Sequence, residues 1–287
     1  MNSTRNTQAS LPSKILSIDE VLAGYDAVSE LYPYIPPLSH WRAWEYASYK
    51  HYKIGGRILD IGCGDGRYFK LIWPKANNVI GVDMDPATAE RGRQSGVYKN
   101  VHTTKADNIP EADSSFDNAF ANCSLEHMDN IAGVLSEIAR CLKPGGQLVC
   151  SVVTNRLIEW SLLHKMVNEA GYDEAAEVLR EQFLEYHHLM NPLEVDRWIA
   201  EFEAAGFELQ SHIPMMPRFS NAIFELMDSL WHVKRSGSGE FGDMIYPVLA
   251  ANSTFPRAFR KIIHGLLEME TDWHDCSGAV FGMKRKP

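Results

Sequence analysis

The stretch Arg57-Ile-Leu-Asp-Ile-Gly-Cys-Gly-Asp-Gly-Arg67 decides the fold of this chain. A short apolar run reaches Asp60 and then passes into three closely spaced glycines, Gly62, Gly64 and Gly66. This order predicts a buried strand, a turn that requires glycine, and then a helix. Because glycine has no Cβ, the backbone of such a turn can lie close to a bound ligand.

An acidic residue closes the next apolar strand. The run Val79-Ile-Gly-Val-Asp83 ends at Asp83, which comes 19 residues after Gly64. In nucleotide-binding βαβ units, a carboxylate about 20 residues after the glycine turn accepts hydrogen bonds from a ribose. The sequence therefore predicts a site for a cofactor that contains a nucleoside.

The composition disfavours several classes of protein. The 28 basic and 37 acidic residues give a net charge of −9, which disfavours the broad basic face that nucleic-acid binding requires. The five cysteines include no C-x-x-C pair, a pattern typical of reduced thiols rather than of disulfides or a zinc site. No apolar run approaches the roughly 18 residues of a spanning helix. We therefore expect a cytoplasmic protein without a signal peptide or a transmembrane segment.

Alternating strand and helix patterns between residues 57 and 153 predict a parallel sheet with helices on both faces. We divide the chain into a disordered tail (1–13), a helical aromatic cap (14–53), a cofactor-binding core (54–154), a helical insert (155–190), a core helix and strand (191–213), a helical insert or lid (214–277), and the last strand with its tail (278–287). The Tyr- and Trp-rich cap suits two arrangements, packing on the sheet edge or covering a ligand cleft.

Five motifs follow one another along the core: Ile58–Gly66, Val82-Asp83, Ala106-Asp-Asn-Ile-Pro110, Ser115-Phe-Asp117 and Lys143-Pro-Gly-Gly146. In this order they resemble the class I S-adenosylmethionine-dependent methyltransferases, and most closely the small-molecule branch related to ubiquinone and sterol methyltransferases. The resemblance covers residues 54–154 and, more loosely, 190–213. It implies an α/β fold with a Rossmann-like, doubly wound, mostly parallel seven-stranded sheet, helices on both faces, a helical N-terminal cap and helical inserts.

The resemblance also implies S-adenosyl-L-methionine as cofactor and S-adenosyl-L-homocysteine as product. The loop Gly62-Cys63-Gly64 would bring its backbone to the methionine part, with Asp60 near the ammonium group. Asp83 would accept both ribose hydroxyls, and Met84 would pack on the adenine. The other contacts that the resemblance implies are Asp107, Asn108 and Ile109 beside the adenine, and main-chain groups of Asn122 and Cys123 at the methionine end. We expect the Cys63 and Cys123 thiols to pack rather than to act as nucleophiles.

The segment Phe120-Ala-Asn-Cys-Ser-Leu-Glu-His127 bears on the methyl acceptor. DNA methyltransferases that act on amino groups share an Asn/Asp-Pro-Pro-aromatic motif at this place, and those that act on cytosine C5 have a Pro-Cys nucleophile. The segment has neither feature, so nucleic acid is not the expected acceptor. His127 is our predicted catalytic residue, because an imidazole can take up a proton near neutral pH. His187, His188 and His40 are alternatives. No cluster with metal-ligand spacing is visible, so we expect no metal.

We therefore expect methyl transfer to oxygen or nitrogen of a small, largely apolar organic molecule of the secondary-metabolite type. This acceptor would lie between the cap and the two inserts, which are rich in aromatic residues and methionine. Three alternatives stay open: methylation of carbon, action on a lipid or quinone at a membrane surface through Phe255–Trp273, and a non-catalytic S-adenosylmethionine-binding protein. A homodimer also stays open.

Overall fold

A seven-stranded sheet organises the part of the chain that the computed structural model describes, residues 13–234, 237 and 239–287. The strands are β1 (Ile58–Ile61), β2 (Val79–Asp83), β3 (Asn100–Thr103), β4 (Phe116–Asn122), β5 (Leu142–Val153), β6 (Phe207–Met215) and β7 (Gly278–Arg285). Their spatial order is β3-β2-β1-β4-β5-β7-β6, and β7 runs antiparallel to both of its neighbours. The predicted mostly parallel seven-stranded sheet is confirmed.

The central strands set the position of the site. All four residues of β1 are buried, as expected for a parallel strand that is covered on both faces. β1 pairs in parallel with β2 on one side and with β4 on the other. The chain order reverses between β1 and β4, and ligands of such sheets bind at the carboxyl ends of the strands near this reversal.

Helices cover both faces of the sheet, as predicted. They are α1 (Ile18–Val28), α2 (Pro36–Tyr49), α3 (Arg67–Ile72), α4 (Pro86–Gln94), α5 (Ile131–Cys141), α6 (Arg156–Glu159), α7 (Leu162–Glu169), α8 (Asp173–His187), α9 (Val195–Ala204), α10 (Arg218–Trp231), α11 (Phe241–Ala250) and α12 (Phe255–Met269). Residues of α1 to α4 share one apolar cluster with one sheet face, and residues of α5 and α9 share a second cluster with the other.

Local sequence explains where these helices begin. The Ser17 hydroxyl accepts a hydrogen bond from the Glu20 N–H, and the Glu20 carboxylate accepts one from the Ser17 N–H at 2.7 Å. This reciprocal pair satisfies two otherwise unpaired donors at the start of α1. At α4, Asp85 accepts from the Thr88 N–H at 2.8 Å and Pro86 takes the first helical position, as the sequence predicted.

The aromatic segment forms α1 and α2, which contact both the sheet and the inserts. The rings of Tyr49 and Phe120 in β4 lie 5.0 Å apart, and those of Trp41 and Phe224 in α10 also lie 5.0 Å apart. The Tyr25 hydroxyl donates to the carbonyl of Pro256 in α12 at 2.9 Å. The aromatic segment therefore packs on the sheet and also contacts the inserts, and its role as the cover of a ligand cleft stays a prediction.

The two inserts are helical and the first is divided into α6, α7 and α8. The second insert holds α10, α11 and α12. The predicted tail at 1–13 lies outside the described residues except for Ser13, which forms a parallel bridge with His212. Within the described chain, no helix combines the length and the apolar character needed to cross a membrane.

Candidate active site

The glycine turn after β1 leaves an open space beside an oriented carboxylate. Gly62 and Gly64 both have left-handed backbone angles, with φ of +64° and +57°. A Cβ on Gly62 would lie 2.7 Å from the Cβ of Ser124, whereas a Cβ on Gly64 would meet nothing within 4 Å. The Gly64 N–H donates to Oδ2 of Asp83 at 3.1 Å, and the Asp85 N–H donates to Oδ1 at 3.0 Å. This arrangement fits a ribose held at Asp83 with the cofactor lying along the turn.

Asp60 is a buried carboxylate whose side-chain partner among the described residues is Tyr98. It is 2% exposed, and its Oδ2 accepts from the Tyr98 hydroxyl at 2.7 Å. Burial raises the pKa of Asp60 to about 7, and the charge of Asp83 adds to the rise while the Tyr98 hydrogen bond opposes it. A cation at this carboxylate would stabilise the ionised form, so Asp60 fits the predicted position near an ammonium group. Sequence reasoning missed Tyr98, because nothing within a few residues of it indicates a partner in β1.

The residues predicted beside the adenine lie at the ends of β2 and β3. Met84 is 67% exposed, although it is a large apolar side chain, and an adenine face would cover it. Asp107 is half-buried and Asn108 is exposed. Ile109 is buried, and its N–H donates to Oε1 of Glu137 at 2.8 Å. Ile109 can therefore offer a cofactor its side chain or carbonyl but not its N–H.

The end of β4 brings Asn122 and Cys123 towards the cap. The Asn122 side-chain amide lies 2.8 Å from the Tyr49 hydroxyl. The Cys123 N–H donates to Oγ of Ser151 at 2.9 Å. Among the main-chain groups of Asn122 and Cys123 that were predicted to face the methionine end, the Cys123 N–H is therefore already engaged. Burial raises the pKa of both the Cys63 and the Cys123 thiols, which keeps them protonated and poorly nucleophilic at neutral pH.

A buried ion pair in α2 joins the cap to this end of the sheet. Nη1 of Arg42 lies 2.5 Å from Oε2 of Glu45, which is fully buried. Oε1 of Glu45 accepts from Oγ of Ser151 at 2.7 Å and from Nε1 of Trp41 at 3.1 Å. Burial acts to lower the pKa of Arg42, but the charge of Glu45 outweighs it and the pKa is raised. The sequence analysis missed Arg42, although its spacing of three from Glu45 inside an apolar helix was an available signal.

A cavity of about 330 Å³ opens at the end of β4. Its wall combines the cap, the β4 end and both inserts, represented by Leu38, Trp41, Cys123, His127, Phe183 and Phe224. His127 lies in a short 3-10 turn, Leu125–His127, and its Nδ1 is 3.3 Å from the His188 carbonyl. The structure thus brings His127 to the same cavity as Cys123.

The alternative histidines differ in position. His187 lines the cavity with His127. The His188 side chain is largely exposed and its Nε2 lies 3.6 Å from Asp129. His40 is fully buried, neither of its ring nitrogens has a hydrogen-bond partner in the described part of the chain, and burial lowers its pKa to about 3. His40 therefore suits no role in proton transfer near neutral pH. In the described ranges, no group of three or more His, Cys, Asp or Glu could hold a metal ion.

The chain is similar to known methyltransferases in sequence. The sequence profile of a methyltransferase domain matches residues 59–150. A demethylmenaquinone methyltransferase of Symbiobacterium thermophilum is 31% identical over 143 residues, which are 46% of this chain and 55% of that protein. A ubiquinone biosynthesis O-methyltransferase of Hahella chejuensis is 27% identical over 172 residues, which are 58% of this chain and 70% of that protein.

A solved structure from Thermotoga maritima, described as a methyltransferase dependent on S-adenosylmethionine and a "possible histamine N-methyltransferase", superposes with a TM-score of 0.54. It is 19% identical and the superposition covers 94% of this chain and 99% of that chain, a likeness of fold alone. The match to the Symbiobacterium protein spans little more than half of that protein. The methyltransferase-domain match supports S-adenosylmethionine as the cofactor predicted for the core. Residues 59–150 of the chain therefore match a methyltransferase domain, and they lie in the segment whose motifs resemble the class I S-adenosylmethionine-dependent methyltransferases.

Proposed function

We propose that this protein transfers a methyl group from S-adenosylmethionine to oxygen or nitrogen of a small, largely apolar organic molecule of the secondary-metabolite type. The cavity of about 330 Å³ carries the proposal, because it begins at Cys123 and His127, beside the predicted methionine end of the cofactor. Pockets of roughly 300–1,000 Å³ are usual for small organic ligands. Trp41, Phe183 and Phe224 supply aromatic surface for an apolar acceptor.

The residues of this chain would bind and orient both reactants. When bound, S-adenosylmethionine supplies an activated methyl group on a sulfonium, so positioning of the acceptor is the main requirement. Asp83 and the glycine turn would hold the nucleoside, and Asp60 the ammonium group. His127, at the end of β4, would orient the acceptor or accept its proton.

The names of the relatives bear on the acceptor atom. The Hahella chejuensis relative is an O-methyltransferase of ubiquinone biosynthesis, which supports oxygen as the acceptor atom here. The aromatic wall of the cavity supports a ring-containing acceptor. A cytoplasmic location, a secondary-metabolic role and a homodimer remain predictions.

A second candidate is a quinone precursor or another lipid, methylated at a membrane surface. The observation that favours it is a set of exposed apolar side chains on α11 and α12: Met244, Val248, Ile262 and Met269. Such side chains can enter the headgroup region of a bilayer. Co-sedimentation with liposomes of mixed neutral and anionic lipid tests it. Protein that stays in the supernatant at all lipid compositions would remove this candidate.

The experiment for the main proposal measures S-adenosylhomocysteine release. The full chain is incubated with S-adenosylmethionine and a panel of apolar phenols and amines, with the Asp83→Ala variant as the matched control. We expect release that depends on one acceptor class and that falls in the variant. Tight binding of S-adenosylmethionine without release for any acceptor would instead favour a non-catalytic binding protein.

A further inference from the structure

Two inserts that are separate in sequence meet at one buried carboxylate. Oδ2 of Asp228 in α10 lies 2.8 Å from Nε2 of His187 at the end of α8. Oδ1 of Asp228 lies 3.6 Å from Nε2 of His232, and Nδ1 of His232 lies 2.8 Å from Oε2 of Glu240. Asp228, His187 and His232 line both the 330 Å³ cavity and a neighbouring cavity of about 770 Å³.

The two histidines have different hydrogen-bond partners. His232 faces a carboxylate at each ring nitrogen. Burial acts to lower its pKa, but the hydrogen bonds to Asp228 and Glu240 outweigh burial and the pKa is raised. Both ring nitrogens of His232 therefore face carboxylates, which leaves neither nitrogen free to take a proton from a ligand. In contrast, Nδ1 of His187 has no hydrogen-bond partner among the described residues.

Asp228 is suited to orient His187. Burial acts to raise the pKa of Asp228, but the hydrogen bonds from His187 and His232 outweigh it and the pKa is lowered. An ionised Asp228 accepts the Nε2–H of His187, so the lone pair of the ring lies on Nδ1. A carboxylate in this position also stabilises the imidazolium that forms when the ring takes up a proton.

We propose that His187, oriented by Asp228, is the general base that removes the proton of a phenolic hydroxyl bound in the 330 Å³ cavity. This inference rests on the proposed methyltransferase function and narrows its acceptor to a phenol. A neutral amine already carries the electron pair that attacks, whereas a phenol gains nucleophilicity when a base takes its proton. Among the residues that the structure describes, the hydrogen-bond partner of His127 is a backbone carbonyl, 3.3 Å from its Nδ1, so we assign His127 to orienting the acceptor.

Methylation of a phenol requires one proton transfer and one methyl transfer. The hydroxyl proton passes to Nδ1 of His187, and an electron pair of the phenolic oxygen forms the new O–C bond to the methyl carbon. The C–S bond breaks and its electron pair stays on sulfur, which yields a methyl ether and neutral S-adenosylhomocysteine. His187 then releases its proton to water, so that one proton leaves for each methyl group transferred.

Other charged groups also surround His187, and most already have partners. They are Arg42, Glu126 and His127 around the smaller cavity, and His164, Glu185, Glu225, His232 and Lys234 around the larger one. Arg42 pairs with Glu45, and Oε2 of Glu225 accepts from the Leu162 N–H at 3.0 Å. Within the described chain, Asp228 is the carboxylate that lies within hydrogen-bond distance of His187.

The test uses 4-nitrophenol, whose anion absorbs visible light, with the full chain saturated with S-adenosylhomocysteine. We expect the anion band to appear on binding at a pH below the pKa of the free probe, because His187 takes the proton. The band should disappear in His187→Gln and decrease several-fold in Asp228→Asn. A probe that does not bind, or an anion band that persists in His187→Gln, would overturn the inference.

Two controls separate this inference from the function on which it rests. His264→Ala removes an exposed histidine of α12, outside both cavities, and should leave the band unchanged. Calorimetry with S-adenosylhomocysteine, the product of the cofactor, shows whether His187→Gln still binds at the cofactor site. Circular dichroism shows whether this variant folds. Nitrogen NMR of the wild-type imidazoles should show the His187 proton on Nε2, the nitrogen that faces Asp228. If methyl transfer occurs to amines but not phenols, the methyltransferase proposal stands and the phenolic base is rejected.

Discussion

The backbone N–H of Gly64 donates a hydrogen bond to Oδ2 of Asp83 over 3.1 Å, although 19 residues separate the two along the chain. The parallel pairing of β1 with β2 places both residues at one edge of the sheet. Since the Asp85 N–H holds the other oxygen of Asp83, the carboxylate is oriented before a cofactor binds. Such preorganisation reduces the entropy lost on binding.

Asp83→Ala should therefore weaken binding of S-adenosylmethionine by about 1–3 kcal/mol, because the ribose loses its acceptor. Asp83→Asn keeps an acceptor for the Gly64 N–H and should lose less. Isothermal calorimetry measures both. Equal affinity of Asp83→Ala and the wild type would reject the ribose assignment.

Cofactor affinity should rise with pH through the titration of Asp60. Its pKa is raised to about 7 by burial, so the carboxyl is largely neutral in the free protein below that pH and attracts an ammonium group poorly. Above it the carboxylate is ionised and the attraction is complete, and binding near neutral pH should release a proton. Calorimetry in buffers of different ionisation enthalpy measures this release. Asp60→Asn should bind with weak and pH-independent affinity, and a pH dependence that survives in Asp60→Asn would contradict the assignment.

The same group gives a stability prediction for the free protein. Because the pKa of Asp60 is higher in the folded than in the unfolded chain, ionisation opposes folding. The free energy of unfolding should fall as the pH rises from about 4 towards 7, and Asp60→Asn should remove this contribution. Urea unfolding of the wild type and of Asp60→Asn across this pH range measures the contribution, with Tyr98, the hydrogen-bond partner of Asp60, left unchanged in both.

His127→Ala should lower turnover more than cofactor affinity. The ring lies at the cavity beside Cys123, so its loss would misplace the acceptor rather than the nucleoside, with about a ten- to hundredfold effect on kcat. Steady-state kinetics and calorimetry separate the two quantities. A variant that loses cofactor affinity in the same proportion as turnover would show that His127 belongs to the cofactor site instead.

A substitution that fills the cavity tests whether the cap contacts the acceptor better than a truncation of the cap does. A chain that begins at Lys53 would lack Trp44 and Tyr49, which are fully buried, so we expect it not to fold. Leu38→Trp should instead fill the cavity and raise the KM for the acceptor about tenfold, a cost of about 1.4 kcal/mol. Val248→Trp on the exposed face of α11 is the matched control. An unchanged acceptor KM in Leu38→Trp would place the acceptor elsewhere.

Methyl transfer should not require a metal ion. The step requires orientation of an already activated methyl group and removal of one proton, and the site residues named above supply both. We expect equal rates with and without a chelator. Activity that a chelator abolishes and magnesium restores would contradict this expectation.

The amino-acid sequence by itself predicted the fold, which the structure confirms, and the cofactor half of the candidate site. The glycine turn, Asp83 and the Asp85-Pro86 helix start depend on backbone preferences within a few residues, so a single chain reveals them. The motif order added the resemblance to class I methyltransferases and the prediction of S-adenosylmethionine, because each motif marks the end of a successive strand or helix.

Only the tertiary structure decided the other half. Asp228 and His187 meet across 41 residues, and Tyr98 reaches Asp60 across 38 residues. No local preference links such pairs, since their distance depends on how the helices pack. The cavity likewise forms between the cap, the β4 end and both inserts. The shape of the cavity depends on how side chains pack in the folded core, and this packing produces no periodic pattern in the sequence.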